Sequence, residues 1–334
     1  MSLKAIAAAL GLSVTTVSRA LNGYDDVAGE TRKRIEEEAR RRGYRPNAAA
    51  RRLKTGRANA VGLVFPVSTT PLSDSPFSKT LLTLEQYLAR EEIDFLLLAD
   101  KPQDNQRALL HMLRSGVLDA VIVTRPKPHD PRLLRLQQKG FRFLTLGRSE
   151  LPQPYAWFDF DNHAGPALAV KHCVGKGITD IAWLGSNEDY SFVHARRLGF
   201  LTAMAQQGLS VTPPRFVETE ASRRAGYQQT CAWLASLTPP PQAIIASCSP
   251  LGEGAAIALQ QAARLQGEKA VELIVYDGLP VDSIVEGSLP MVVQSTQQDA
   301  GEKVAQMILA LIKGTPVERL QMQWQPELRL PDQP

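Results

Sequence analysis

The chain has 334 residues, 44% hydrophobic and 22% charged. That is a globular balance; it excludes disordered, collagen-like and coiled-coil chains and suggests two or three compact units. No apolar run approaches the ~18 residues of a membrane span, and the Ala-rich start, Ala5 to Leu12 after a single Lys4, lacks secretory cleavage logic. The three cysteines, Cys173, Cys231 and Cys248, are scattered without CxxC spacing, so a reduced, cytoplasmic protein is expected. The formal charge of +4 is unevenly placed: residues 1–60 hold 13 Lys/Arg and 6 Asp/Glu, which leaves −3 for the rest. A basic head on a mildly acidic body is the footprint of a polyanion-binding module joined to something else.

In the head, Leu3, Ile6, Ala7 and Leu10 recur at helical spacing and predict an amphipathic helix over Leu3–Leu10, closed by Gly11. Leu12 points inward, and Ser13 is placed to cap a second helix over about Val14–Leu21. Val17, Ala20 and Leu21 form its inner face, and Asn22-Gly23 stops it. A third helix, about Gly29–Arg42, turns Ile35 and Ala39 inward. Two short helices joined by a tight Gly-containing turn make a helix-turn-helix, whose second helix enters the DNA major groove by its N-terminus. The DNA-contacting set is then Ser13, Val14, Thr15, Thr16, Ser18, Arg19 and Asn22. Val and Thr methyls pack on thymine methyl groups, and Arg bridges guanine O6 and N7. The bland alternatives are a helical hairpin in a larger core and, for Arg40, Arg41 and Arg42, a solvated helix face.

The run LKAIAAALGLSVTTVSRALNG, followed by TRKRIEEEARRRGYRPNAAARRLKTGRANAVGLVFP, resembles the start of lactose/galactose-repressor (LacI/GalR) family regulators. Its segments S-x-x-T-V-S-R-x-L-N and G-Y-x-P-N-x-x-A-R-x-L are specific in combination, and the resemblance continues more weakly to about residue 330. Ala5 stands where the family usually has Asp, which removes a helix-dipole contact and no base-reading position. The segment Asn47–Gly56, NAAARRLKTG, is Ala-rich and basic, and at two turns it is marginal as an isolated helix. The resemblance implies that it orders where two copies meet in the minor groove, with Leu53 as the apolar wedge and Ala50 allowing close approach. Arg51, Arg52, Lys54 and Arg57 would add phosphate contacts. A plain flexible linker is the alternative.

After Asn59, short β-branched runs alternate with helical stretches. Strands are expected at Val61–Phe65, Asp94–Leu98, Ala120–Val123 and Phe143–Leu146, with helices near Phe77–Arg90, Asn105–Arg114 and Pro131–Gln138. A second series has strands at Trp157–Phe160, Ile181–Leu184, Ala243–Ala246 and Leu273–Tyr276. Its helices lie near His163–Gly175, Val193–Gln207, Ala225–Ala235 and Leu251–Leu265. This alternation predicts two doubly wound parallel-sheet lobes with a ligand cleft at the strands' carboxyl ends. The resemblance implies an α/β periplasmic-binding-protein-like body behind a small all-α helix-turn-helix head. The chain would cross back near Val292–Ser295, and a helix over about Gln298–Leu311 would rejoin the first lobe. The expected division is a head over 1–46, a hinge over 47–58, a first lobe over 59–157 and 294–318, and a second over 158–293 and 319–330.

Catalytic constellations are sparse. Gly252-Glu253-Gly254 lacks the third glycine of a dinucleotide fingerprint, and no GxxxxGK[ST], GxSxG or HExxH occurs. His111, His129, His163, His172 and His194 show no metal-ligand spacing. No enzyme activity, metal or cofactor is therefore expected. In the pocket, Arg196 fits the family's R-x-x-G-F pattern and can fork onto ligand oxygens. Asp277 matches the family's Y-D and can accept two hydroxyl hydrogen bonds. A surface ion pair for Arg196 and a turn-forming Asp277 are the alternatives. Phe77 and Phe160 could supply apolar faces to a pyranose ring. Cys248-Ser249 replaces the family's common Asn-Asp at a position facing the cleft, and Phe65-Pro66-Val67 is likewise apolar. Cys248 reads as an inert buried thiol before a nucleophile.

The expected partners are a palindromic double-stranded operator, a sugar-like effector and a second copy of the chain, with no heptad repeat to build a tetramer. Repression relieved by the effector is the leading expectation. A co-repressor that strengthens DNA binding shares the same signature, and a sugar-binding protein or enzyme with a basic appendage is the rival from another class.

Overall fold

A computed structural model describes residues 2–21, 24, 26–44, 57–66, 76–100, 107–280, 283–285, 289–294 and 299–331. Asn22 and the hinge positions Ala50, Arg51, Leu53 and Lys54 lie outside the described residues, as does Gln298. The chain divides into two compact units, Met1–Asn59 with Gly116–Asp119, and Ala60–Ser115 with Ala120–Pro334.

The first unit carries three helices, α1 (Leu3–Leu10), α2 (Val14–Leu21) and α3 (Gly29–Arg41). Gly11 ends α1 in the left-handed conformation, at φ 65°, where a side chain would be strained. Ser13 Oγ accepts the backbone N–H of Thr16 at 2.9 Å, the N-cap expected of it. Ile6, Ala7, Val17, Ala20, Val27, Ile35 and Ala39 form one small core, with Leu12 and Leu21 packed at its edge. The third helix stops one residue short of the expected Arg42. Arg41 and Arg42 turn back to Glu38, and their hydrogen bonds hold its carboxyl down to about 2.

The second unit contains two six-stranded sheets. The first has the order β11-β5-β4-β3-β1-β2, built from β1 (Ala60–Pro66), β2 (Asp94–Asp100), β3 (Ala120–Thr124), β4 (Phe143–Leu146), β5 (Ala156–Phe160) and β11 (Gln321–Trp324). Its helices are α4 (Pro76–Arg90), α5 (Arg107–Ser115), α6 (Pro131–Gln138) and, from near the chain's end, α11 (Ala300–Ile312). Every pairing in this sheet is parallel. Val61, Leu63 and Ile122 meet Leu84 and Leu88 of α4 and Val304 and Ile308 of α11 in its core.

The second sheet has the order β12-β10-β9-β8-β6-β7, from β6 (Ile181–Ser186), β7 (Phe216–Thr219), β8 (Ala243–Ala246), β9 (Glu272–Tyr276), β10 (Met291–Val293) and β12 (Glu327–Arg329). Only β12 runs antiparallel, against β10. The two-residue period of a strand separates its faces. Leu184, Ile244 and Val275 pack toward α9 (Arg223–Ser236) and α10 (Ser249–Gln261), while Trp183, Ile245 and Ile274 pack with residues of α7 (Ala164–Gly175) and α8 (Ser191–Gln206).

Two expected boundaries are corrected. Trp157–Phe160 reads as the opening of the second series, but β5 pairs with β4 and β11 and buries Phe158 in the first core. Residues 319–330 are also divided: Gln321–Trp324 completes the first sheet and Glu327–Arg329 the second. The chain therefore crosses between the sheets after β5, between β10 and α11, and between β11 and β12.

Candidate functional sites

Parallel strands deliver the residues that follow them to one end of the sheet, where ligands of open α/β folds bind. Between the two sheets this creates a cavity of about 210 Å³. Thr124 and Arg125 come from the end of β3, Leu146 and Gly147 from β4, Asp159 and Phe160 from β5, and Asp277 from β9. Phe192 and Arg196 project from the first turns of α8. Of the residues expected to bind an effector, Phe77, Phe160, Arg196 and Asp277 all line this cavity. Cys248 and Ser249 do not; they line an adjoining recess of about 80 Å³ that shares Arg125, Phe192, Arg196 and Asp277 with it.

Arg196 is the organising side chain. It is only 2% exposed, and a guanidinium so buried requires near-complete pairing. Nε donates to Asn162 Oδ1 at 2.9 Å, and Nη1 donates to the Ser247 carbonyl at 2.6 Å and to Asp277 Oδ2 at 3.1 Å. The guanidinium lies 3.5 Å over the Tyr276 ring and 5.0 Å over Phe192, each a cation–π contact. Burial is the largest influence and opposes its charge, but Asp277, Tyr276 and Cys248 together outweigh it and hold the group above its ordinary value. Asp277 adopts φ 68°, a left-handed conformation that Asp tolerates better than most residues, and its N–H donates to the Val292 carbonyl at 2.7 Å. Arg196 is therefore no surface ion pair; Asp277 does stand in a turn before Gly278, and it pairs with Arg196 as well.

The apolar wall is aromatic. Phe65 and Phe77 stack at 5.5 Å between centroids, and Arg125 lies 5.0 Å over Phe65. Phe160 meets Phe158 edge-on at 5.4 Å and Trp324 at 6.0 Å. Beside it, burial pushes the Asp159 carboxyl up, against the pull of Arg148, whose Nε donates to it at 3.0 Å. At the rim the lobes touch: Ser191 N donates to the Pro126 carbonyl at 2.9 Å, and Lys127 Nζ lies 3.4 Å from Asp189. Sequence reading missed Thr124, Arg125, Asn162, Phe192 and Gln294. All but Phe192 follow or end a strand, so the strand-end rule applied position by position finds them.

Cys248 sits at the N-cap of α10, where burial pushes its thiol up to about 11. A thiol there stays protonated at neutral pH and is a poor nucleophile. Ser249 is buried beside it.

In the head, Val14 is 40% exposed at the start of α2, with Thr15 exposed beside it. Thr16 is tied to Ser13 by a 2.8 Å hydroxyl contact as well as the cap. Arg19 is already engaged. Its Nε donates to Asp26 at 3.1 Å and its guanidinium lies 4.6 Å over Tyr24, so reading a guanine requires it to leave Asp26. Ser18 stands half-buried on the same helix.

Residues 58–328 match the family described as periplasmic binding proteins and sugar binding domain of LacI family, and residues 2–47 match bacterial regulatory proteins of the lacI family. The chain belongs to the LacI family. It is 46% identical over 326 residues to the HTH-type transcriptional regulator RafR of Escherichia coli, covering 98% of this chain and 96% of RafR. The Lac repressor bound to ONPG shares its fold at TM-score 0.82 and 19% identity, covering 99% of this chain and 98% of that one. A complex of the transcriptional regulator CelR with cellobiose does so at TM-score 0.71 and 22% identity, with 99% of both chains covered. As a LacI-family member the chain is a DNA-binding transcriptional regulator and not an enzyme. Among the described residues no helix is long and apolar enough to cross a membrane, and no three His, Cys, Asp or Glu side chains are grouped to hold a metal.

Proposed function

We propose that this LacI-family regulator is a cytoplasmic homodimeric repressor that leaves a palindromic operator when a sugar-like effector binds between its lobes. The observation that carries the reading is the Arg196–Asp277 pair set against the aromatic wall of Phe77 and Phe160. Arginine donors and a carboxylate acceptor match vicinal hydroxyl groups, and aromatic faces match the apolar face of a pyranose. Cellobiose in the CelR complex is a ligand of the same chemistry on the same fold.

Two heads on a twofold axis match the two halves of a palindrome. The exposed Val14 and Thr15 are the base-reading tip of α2, with Ser13, Thr16, Ser18, Arg19 and Asn22 around it. Ala50, Arg51, Leu53 and Lys54 belong to the hinge that meets the minor groove. The effector gathers polar arms from both lobes, since Arg125 follows β3 of the first lobe and Arg196 stands on α8 of the second. It therefore favours a closed cleft, and only a ligand that prefers the closed state over the DNA-competent one shifts the equilibrium.

The test is a selection from random duplexes with purified protein, repeated with a panel of sugars and sugar phosphates. A palindrome enriched without ligand and lost with one sugar is the expected result. Enrichment only when a sugar is present reverses the sign and makes the ligand a co-repressor. No enriched site under any condition refutes operator binding.

A further inference from the structure

Just before the chain enters β1 at Ala60, two of its backbone amides are held by a side chain 60 positions further on. Asp119 Oδ1 accepts the Ala58 N–H at 2.8 Å, and Oδ2 accepts the Asn59 N–H at 2.7 Å. Successive amides turned to one carboxylate form an anion cradle. Asn59 shapes it by taking the left-handed region at φ 51°, which asparagine tolerates better than most residues. Hydrogen bonds to a carboxylate are about twice as strong as neutral ones. Asp119 is itself fixed: it follows the buried Leu118 and immediately precedes Ala120, which opens β3. β3 lies beside β1, with Val61 opposite Ala120. At the far end of this strand pair Thr124 Oγ1 donates to the Val64 carbonyl at 3.1 Å. Gly116–Asp119 accordingly belongs to the compact unit of residues 1–59, although the chain on both sides of it belongs to the other.

We propose that Asp119 is a positioning residue for operator binding, fixing the point at which the hinge leaves the body by holding the Ala58 and Asn59 amides. The inference rests on the operator reading and goes beyond it, since Asp119 is outside the set of residues assigned to DNA. The hinge segment ends at Gly56, two residues before Ala58. A helix of two turns is marginal by itself, so it orders on DNA only where little entropy is left to lose. A fixed exit removes part of that loss beforehand, and it raises the effective concentration of one hinge at the other in a dimer. Without the carboxylate, the two amides turn to water and the exit loosens. The effect is selective. Wedging between base steps depends on how readily those steps deform, so the hinge counts on an operator and little on random DNA, which basic heads hold through phosphates.

Two duplexes of equal length separate this role from a purely structural one. One is the palindrome that the full-length protein enriches from random duplexes; the other has a random sequence. The full-length protein, Asp119→Asn and Asp119→Ala are titrated onto each, followed by fluorescence anisotropy. Both variants are expected to lose tenfold or more in affinity for the palindrome and less than twofold for the random duplex. Hydrogen exchange at the Ala58 and Asn59 amides should quicken in both. Far-UV circular dichroism checks the folds; should Asp119→Ala fail, Asp119→Asn, which keeps the shape of the side chain, carries the test. Equal losses on the two duplexes overturn the proposal, and so does undiminished affinity of a folded variant for the palindrome. Unchanged exchange at both amides overturns it as well. A full-length protein that enriches no palindrome removes the operator reading, and this proposal with it.

Discussion

Arg196 and Asp277, 81 positions apart in the chain, meet at 3.1 Å in the wall of the cleft. The contact joins a helix of the second lobe to the turn after β9, and both residues face the two cavities at once. The geometry that stabilises this lobe is therefore also the geometry that shapes the wall of the cleft.

Arg196→Ala leaves Asn162 Oδ1, the Ser247 carbonyl and Asp277 Oδ2 without their donor. Breaking a buried charge pair by removing one partner costs about 3–5 kcal/mol. Urea denaturation is expected to show a loss of that order, and the operator complex should no longer respond to sugar. Arg196→Lys keeps the charge but loses the fork, and should recover part of the stability and little of the response.

Arg19 and Asp26 predict opposite results in the head. On the proposed reading, Arg19→Ala removes a base-reading fork worth about 1–3 kcal/mol, so operator affinity should fall about 5- to 150-fold in a gel-shift titration. Asp26→Asn removes the carboxylate that holds Arg19 in the free protein, and affinity should hold or rise. A drop with Asp26→Asn equal to that of Arg19→Ala would show that the pair is needed intact.

Ser13→Ala deletes the cap on α2, at a cost of about 1 kcal/mol. Hydrogen exchange on the full-length protein should show reduced protection of the α2 amides, with protection in β3 and β8 unchanged.

Gly199 in the R-x-x-G-F run is where α8 crosses close to the start of α7. A Cβ there falls 2.1 Å from the His163 carbonyl, against backbone that has no rotamer to yield. Gly199→Ala should destabilise the body by about 1–3 kcal/mol, read as a lower thermal midpoint.

Acid should weaken the first lobe through Asp130. Burial alone pushes its carboxyl up, but the Arg132 hydrogen bonds and charge and the Lys127 and Arg132 backbone N–H groups overcome this and leave it depressed. A depressed carboxylate contributes stability that is fully present above the unfolded value of about 3.9 and is lost as pH falls through the folded value. Acid unfolding followed by circular dichroism should begin in that window, and Asp130→Asn should flatten the dependence while lowering stability at neutral pH.

The helix-turn-helix was legible because its information is local: Leu3, Ile6, Ala7 and Leu10 mark one face, and Ser13 and Gly11 mark two helix ends within the chain segment they govern. The long alternating series of the body was legible for the same reason, and so were Arg196 and Asp277, which sit in short recognisable runs. Other features carried no local signature. The strands β7, β10, β11 and β12 have three or four residues each, too few to establish a period. Assigning β5 to the first lobe and dividing β11 from β12 depended on which strand lay beside them, a matter of pairings between residues 164 apart for β5 and β11 and 34 to 38 apart for β10 and β12. Tertiary structure also decided that Arg19 is held by Asp26, that Cys248 belongs to a second cavity, and that Arg125 lines both. By itself the sequence determined the kinds of element, their order and the chemistry each could offer, because these follow from short-range periodicity and side-chain type. Which strands pair, and which side chains converge from distant strand ends, is settled only when long-range contacts form.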